Sequence, residues 1–467
     1  MANEAAAAQE TWFGHPKGLL FLAFTEMWER FSFYGMRTLL VLYMVQDILL
    51  PGRIENVAGM DAYRAVVEGI FGQLSTQAFA SQTFGIYSGF VYFTPLFGGL
   101  IADRWLGAKR TVMIGIALMT LGHFAMAFDW SFLLALLLLV LGSGCLKGNV
   151  AAQVGQLYPK AEEALRSRGY AIFSTGINVG ATIGPLVCGT LAQFYGWHVG
   201  FGTAGAMMLM AAIIYFAGMR HFAHDRAKAH PDDIVPPLTG NEWAMLRLVV
   251  LVLAIVTLQN LAYDQMFNVG LIWVSERVAL DVGGFSVPVP WFGSEDSFAS
   301  IAILPVLLML WGWQARRGKE PDDLGKMAIG AVIMALSALS LAAGSWLAGE
   351  DKVSIVFPLI AFFLSGVSFM YQWPVALALV SRRSPKKINA LMMAAVYLTA
   401  FVSGIASGFF ARWYEPLGDT GFWLMNTGLS LAGAIAVLLF GGAIRRRMDA
   451  LDAADGRNAA EPVAASA

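Results

Sequence analysis

The sequence predicts an all-α integral membrane protein: twelve transmembrane helices in two bundles of six. Three observations lead there: too few charges to coat a water-soluble globule, recurrent apolar runs of spanning length, and a lopsided distribution of lysine and arginine. Of the 467 residues, 57% are hydrophobic and 13% charged, with a mean hydropathy of +0.61. A soluble domain carries roughly 25% charged residues, so lipid must cover much of this surface. The net charge of −1 offers no basic face to neutralise phosphates, which excludes nucleic acid as a partner. Cys145 and Cys188 lie in apolar stretches, so no disulfide framework or metal site is implied, and no cofactor is expected. The opening MANEAAAAQE lacks the basic start and cleavage pattern of a signal peptide, so the first apolar run is expected to be retained.

Apolar runs of about 20 residues are long enough to cross a bilayer. They fall at 19–46, 83–102, 108–127, 131–150, 169–195 and 198–219, then at 244–275, 298–314, 326–347, 355–379, 388–411 and 421–443. The polar stretch between the sets predicts an N-terminal bundle over 1–219, a cytoplasmic linker over 220–243 and a C-terminal bundle over 244–447. Residues 448–467 are Ala-rich and polar and read as a disordered tail. With the N-terminus in the cytoplasm, only Arg53, Arg64, Arg277, Lys352 and Arg412 fall in outer loops. Arg30, Arg37 and Lys147 fall inside spans, leaving 23 of the 31 basic residues on the cytoplasmic side. That is the positive-inside asymmetry of an inner-membrane protein with both termini cytoplasmic. A monomer is expected. The charged turns at 98–110 and 316–326 occupy corresponding places in the two halves, as duplication would produce.

A charge at mid-bilayer costs about 2.5–3.5 kcal/mol, so it needs a partner or a wet cavity. The first span nevertheless holds Glu26, Glu29, Arg30 and Arg37. With Tyr34 they share an arc of about 140° on a helix, and Glu26 can pair with Arg30 four residues on. Lys147 ends the apolar run of the fourth span, flanked by Gly142, Gly144 and Gly148. Asn260, Asp264 and Asn268 form a stripe on the seventh span; Ser174, Asn178 and Thr182 form another on the fifth. Asp264 wants a cation, which Arg37 or Lys147 can supply. The acids Glu26, Glu29 and Asp264 thus balance the bases Arg30, Arg37 and Lys147, a set able to exchange partners as protons bind and leave.

These residues are recognisable. EMWERFSFYGMRTLL, beginning at Glu26, resembles the E-x-x-E-R-F-x-Y-Y-G signature of the proton-dependent oligopeptide transporter family, within the major facilitator superfamily. The likeness continues in VYFTPLFGGLIADRWLG (91–107), GSGCLKGN (142–149), FSTGINVGATIGP (173–185), RGKEPDDLGKMAIG (317–330) and PVALALVSRRSPKKINALMM (374–393). The resemblance implies a major facilitator fold and proton-coupled import of small peptides. It gives Glu26, Glu29 and Arg30 the coupling role, and Arg37 and Lys147 that of cations which bind the substrate carboxylate or pair with acids during the cycle. Tyr34, Tyr92 and Asn178 become pocket residues, Asp264 the family's seventh-span acid, and Asp103 with Arg104 part of the cytoplasmic gate turn.

The chain also departs from the pattern. Phe33 and Ser174 stand where the family has tyrosines, KGN replaces K-P-N, and the 220–243 stretch is too short for the two extra helices of many bacterial members. The family's tenth-span glutamate, which holds the peptide amino terminus, aligns near Phe369. Asp296, or adjacent Glu295, is a candidate replacement from the eighth span; the alternative is that the pair caps that span in the outer loop. An enzyme is not expected. His15, His123 and His198 are isolated, and His221, His224 and His230 fall on the linker, where a metal site is a minor alternative to a solvated loop.

Overall fold

The computed structural model describes residues 11–159, 162–222 and 237–454. Its elements in chain order begin with a hairpin, β1 (Thr11–Trp12) with β2 (His15–Pro16), then α1 (Lys17–Tyr43) and the short α2 (Met60–Phe71). Next come α3 (Thr76–Phe93), α4 (Pro95–Ile101), a π-turn (Ala102–Leu106), α5 (Ala108–Ala125), α6 (Phe132–Gln156), α7 (Glu163–Tyr195) and α8 (Trp197–Gly218). The later part holds α9 (Gly240–Phe267), α10 (Val269–Arg277) and a hairpin of β3 (Asp281–Val282) with β4 (Phe285–Ser286). It finishes with α11 (Trp291–Arg316), α12 (Asp323–Ala348), α13 (Val356–Arg383), α14 (Asn389–Ala411) and α15 (Tyr414–Ala454).

Among the described residues, ten helices are long and apolar enough to cross a membrane. α1 and α5 coincide with expected spans but stand outside that set; α1 does so on account of its four charges. Several expected boundaries move. The second span starts at Thr76 rather than 83, because Gln77, Ser81 and Gln82 are buried against protein instead of facing water. The eighth starts at Trp291 rather than 298. The expected disordered tail is helical through Ala454, with Met448 and Leu451 buried and Arg383 paired to Asp449 and Asp452. The rest of that tail, and linker residues 223–236 with His224 and His230, lie outside the described residues. His221 stacks on Phe21 at 5.5 Å.

α1 packs along α7 and α8, and α5 along α6 and α8, while α12 packs along α13 and α15, and α9 along α14 and α15. Close approach of α1 and α7 depends on small residues, since a Cβ at Gly180 would collide with the Met27 carbonyl. The most extensive packing of early helices on late ones is in two places: α3 with α14, and α7 with α11. In the first, a side chain at Gly85 would strike the Gly404 carbonyl, and Gln82 Nε2 donates to Ile405 O at 3.4 Å. In the second, Trp291 Nε1 donates to Leu186 O at 3.2 Å and to Thr190 Oγ1 at 3.0 Å, and Gln193 Nε2 donates to Ser286 O at 2.8 Å. Asn268 Nδ2 to Ser81 O at 3.1 Å, Gln46 to Ser275 at 3.1 Å and Arg412 to Phe71 O gather at the same end of the molecule, where α2 lies.

Candidate functional site

Helical spacing builds the first part of the site. Residues four apart stack on one face of α1, so Arg30 reaches back to Glu26; its Nε and Nη2 donate to Glu26 Oε1 at 2.9 and 2.6 Å. Arg30 Nε also lies 3.1 Å from Glu29 Oε2, without hydrogen-bond alignment. Both glutamates are buried, and Glu26 Oε2 and both Glu29 oxygens have no hydrogen-bond partner among the described residues. The expected Glu26–Arg30 pair is therefore present, and Arg30 serves two acids at once.

Lys147, on α6, does not snorkel to the surface. Its ammonium is buried without a hydrogen-bond partner among the described residues, 4.0 Å from the centroid of Phe33 and 4.8 Å from that of Tyr92. A desolvated cation over two ring faces gains about 2 kcal/mol or more. Phe33 keeps the ring of the expected tyrosine, and the ring face is what the lysine uses. Glu29 and Glu26 lie within electrostatic reach of the ammonium.

Two turns along α1, Arg37 Nη2 lies 3.3 Å from Asp264 Oδ1 on α9, and its guanidinium sits 4.7 Å from the Phe267 centroid. Ser403 Oγ, from α14, donates to Asp264 Oδ2 at 2.6 Å. Of the two cations the sequence offers for Asp264, the structure brings Arg37.

Asp296 is no helix cap. α11 begins five residues earlier with no side-chain cap, and Asp296 is buried inside the helix. Tyr263 Oη donates to its Oδ2 at 2.9 Å and Ser365 Oγ to its Oδ1 at 2.6 Å. Arg37 and Tyr34 are within electrostatic reach of this cluster. The three-against-three balance read from sequence is corrected accordingly, because a fourth acid is buried beside the others. Adjacent Glu295 points elsewhere, into a cleft of about 350 Å³ with Thr182, Leu186, Trp291 and Phe298.

The remaining candidates are placed less decisively. Tyr34 meets Phe33 edge to face at 5.1 Å, and Tyr92 faces Trp373 of α13 at 6.5 Å. Asn178 is half-buried on α7. Asp103 and Arg104 are exposed on the π-turn and pair with no described residue. The corresponding later turn is braced, with Arg445 on Asp322 at 2.7 Å and Arg382 on Asp323. Sequence reasoning missed Tyr263, Ser365, Trp373 and Ser403. For Tyr263 a signal existed, since it adjoins Asp264 in an apolar run.

The family model of the Major Facilitator Superfamily matches residues 23–409. The Uncharacterized transporter YclF of Bacillus subtilis is 27% identical, over 94% of this chain and 96% of that protein. A di-/tripeptide transporter of Lactococcus lactis is 26% identical, over 92% and 96%. Among solved structures, the peptide transporter POT in complex with sulfate matches with a TM-score of 0.83 at 25% identity, over 94% of this chain and 97% of that one.

Proposed function

Because the chain belongs to the major facilitator superfamily, a class of membrane transporters rather than enzymes, we propose that it is a proton-coupled symporter importing di- and tripeptides. Both similar peptide transporters span nearly its whole length, which supports that substrate class. In this reading the chain makes twelve crossings as two six-helix bundles, over 1–219 and 244–447, without two extra helices between them. It works as a monomer in the inner membrane with both termini cytoplasmic. The bridges gathered at the α2 end favour a conformation closed toward the outside.

The observation that carries the proposal is the under-coordinated acid pair beside Lys147. Glu26 and Glu29 share one arginine, and three of their four oxygens have no hydrogen bond from the described residues. A proton arriving from outside neutralises one glutamate and loosens its hold on Arg30. The substrate carboxylate bridges Arg37 and Lys147, drawing Arg37 from Asp264, while Asp296 receives the amino terminus in place of the glutamate absent at Phe369. Rocking of the bundles then releases both inward. One proton moving down about 100 mV contributes about 2.3 kcal/mol, and one pH unit about 1.4 kcal/mol. Together they support roughly 500-fold accumulation.

Proteoliposomes with an alkaline interior test this directly. Ala-Ala accumulates in them, and the gradient dependence disappears in Glu29→Gln. Uptake indifferent to the gradient would remove proton coupling. The second reading, a different carboxylate-bearing solute or a modified peptide, draws on one observation: α13 offers the ring of Phe369 where the resemblance calls for a carboxylate. Competition by such solutes with no competition by dipeptides would select it.

A further inference from the structure

One face of α13 carries Ser365, Phe369 and Trp373 at intervals of four, so the three side chains stack along about 12 Å of helix. Ser365 holds Asp296. Phe369 lies against Tyr263, the other residue holding Asp296, at 5.6 Å and 27°. Trp373 lies nearly parallel to Phe369, at 6.2 Å and 12°. Tyr397 of α14 meets Trp373 edge-on at 5.4 Å, and Tyr92, from α3, meets it at 6.5 Å, tilted by 54°, before reaching Lys147. A continuous row of rings therefore runs from a buried carboxylate to a buried ammonium, crossing from the late helices to the early ones.

Core packing alone does not account for this row. Phe369, Trp373, Tyr92 and Tyr263 are each only partly buried, unlike Phe362 and Phe267 nearby, which are sealed. Tyr397 is 37% exposed. Aromatic surface left partly open between two opposite charges suits a zwitterion whose body is itself flat and apolar. The rings offer nothing to an anionic side chain: the polar groups along α13 near this face, Gln372 and Ser368, are already bonded to Asn260 and Gln259.

We infer that the Tyr263–Phe369–Trp373–Tyr92 row is the specificity wall of the transport site, selecting peptides that carry an aromatic side chain. This rests on the peptide reading above and deepens it. Stacking of one substrate ring on this wall makes an aromatic dipeptide bind about tenfold more tightly than a dialanine, the upper range for an aromatic pair.

The test is a binding panel on the purified full-length protein, using Ala-Ala, Ala-Phe, Ala-Tyr, Ala-Glu and Ala-Lys as probes. Wild type ranks Ala-Phe and Ala-Tyr about tenfold above Ala-Ala, with Ala-Glu below it and Ala-Lys, whose ammonium can sit over a ring face, between Ala-Ala and the aromatic pair. In Trp373→Leu and Phe369→Leu the ratio of Ala-Phe to Ala-Ala affinity falls toward one. Equal wild-type affinities for Ala-Phe and Ala-Ala overturn the inference alone, and this arm needs no variant to fold. A ratio unchanged in folded variants overturns it as well. If no dipeptide in the panel binds, the peptide reading falls and takes the inference with it.

Discussion

Glu26 and Glu29 on α1, and Asp264 and Asp296 on α9 and α11, face the same problem of burial and meet it differently. Each aspartate oxygen receives a hydrogen bond: Asp264 from Arg37 and Ser403, Asp296 from Tyr263 and Ser365. Three of the four glutamate oxygens receive none from the described residues. Fixed donors around an acid favour its carboxylate form and hold it in one place. An acid short of donors gains by taking up a proton, because unsatisfied charge is costly in a dry interior. In the proposed mechanism this difference gives the glutamates of the first half the change of protonation, and Asp296 of the second half the negative charge that meets a ligand.

Removing a proton site should have the largest effect. Glu29→Gln is expected to abolish gradient-driven accumulation, from roughly 500-fold to equilibration, while peptide counterflow between equal pools persists; both are read in proteoliposomes. If accumulation survives, the division of labour between the halves is wrong. Asp296→Asn addresses the other side. A hydrogen bond to a charged group contributes about 1.5–3 kcal/mol, so the Km for Ala-Ala should rise about 10- to 100-fold. An N-acetylated dipeptide, lacking the ammonium, should show no such change. The smallest effect comes from turning a satisfied acid into an under-coordinated one. Ser403→Ala strips a donor from Asp264 and is expected to cost about 1–3 kcal/mol of stability, seen as a lower midpoint in thermal unfolding. By the same rule Asp264 then takes up a proton more readily, so the dependence of uptake on outside pH should shift toward higher pH.

The site was unevenly legible in the sequence. Charges in the first span stand out because everything around them is apolar, and the i to i+4 geometry of a helix already pairs Glu26 with Arg30. Asp296 was harder to read, since serine, glutamate and aspartate in a row look like the polar edge of a span. Only the packing of α11 against α13 reveals that this edge is buried. The aromatic row was invisible for a related reason. Phe369 and Trp373 sit among other apolar residues, and nothing in one sequence says which rings meet lipid and which meet Tyr92 across the molecule. Boundaries failed where polar residues such as Gln77 and Gln82 face protein, because a hydropathy pattern cannot tell a protein neighbour from water. The final helix was cut short because Met448 and Leu451, lying among charged residues, gave no sign of the surface they cover.

The contact of α3 with α14 has a mechanical consequence. Where Gly85 meets the Gly404 carbonyl, two backbones touch with no side chain between them. Bare cylinders in contact roll over each other easily, whereas interlocked side chains would have to disengage first. In the proposed rocking of the two halves, a pair of this kind is suited to be the fulcrum, keeping their spacing constant while each tips against the other. Any bulk added at Gly85 would act as a wedge, sparing the ion pairs deeper inside yet stiffening the tilt that lets a solute through.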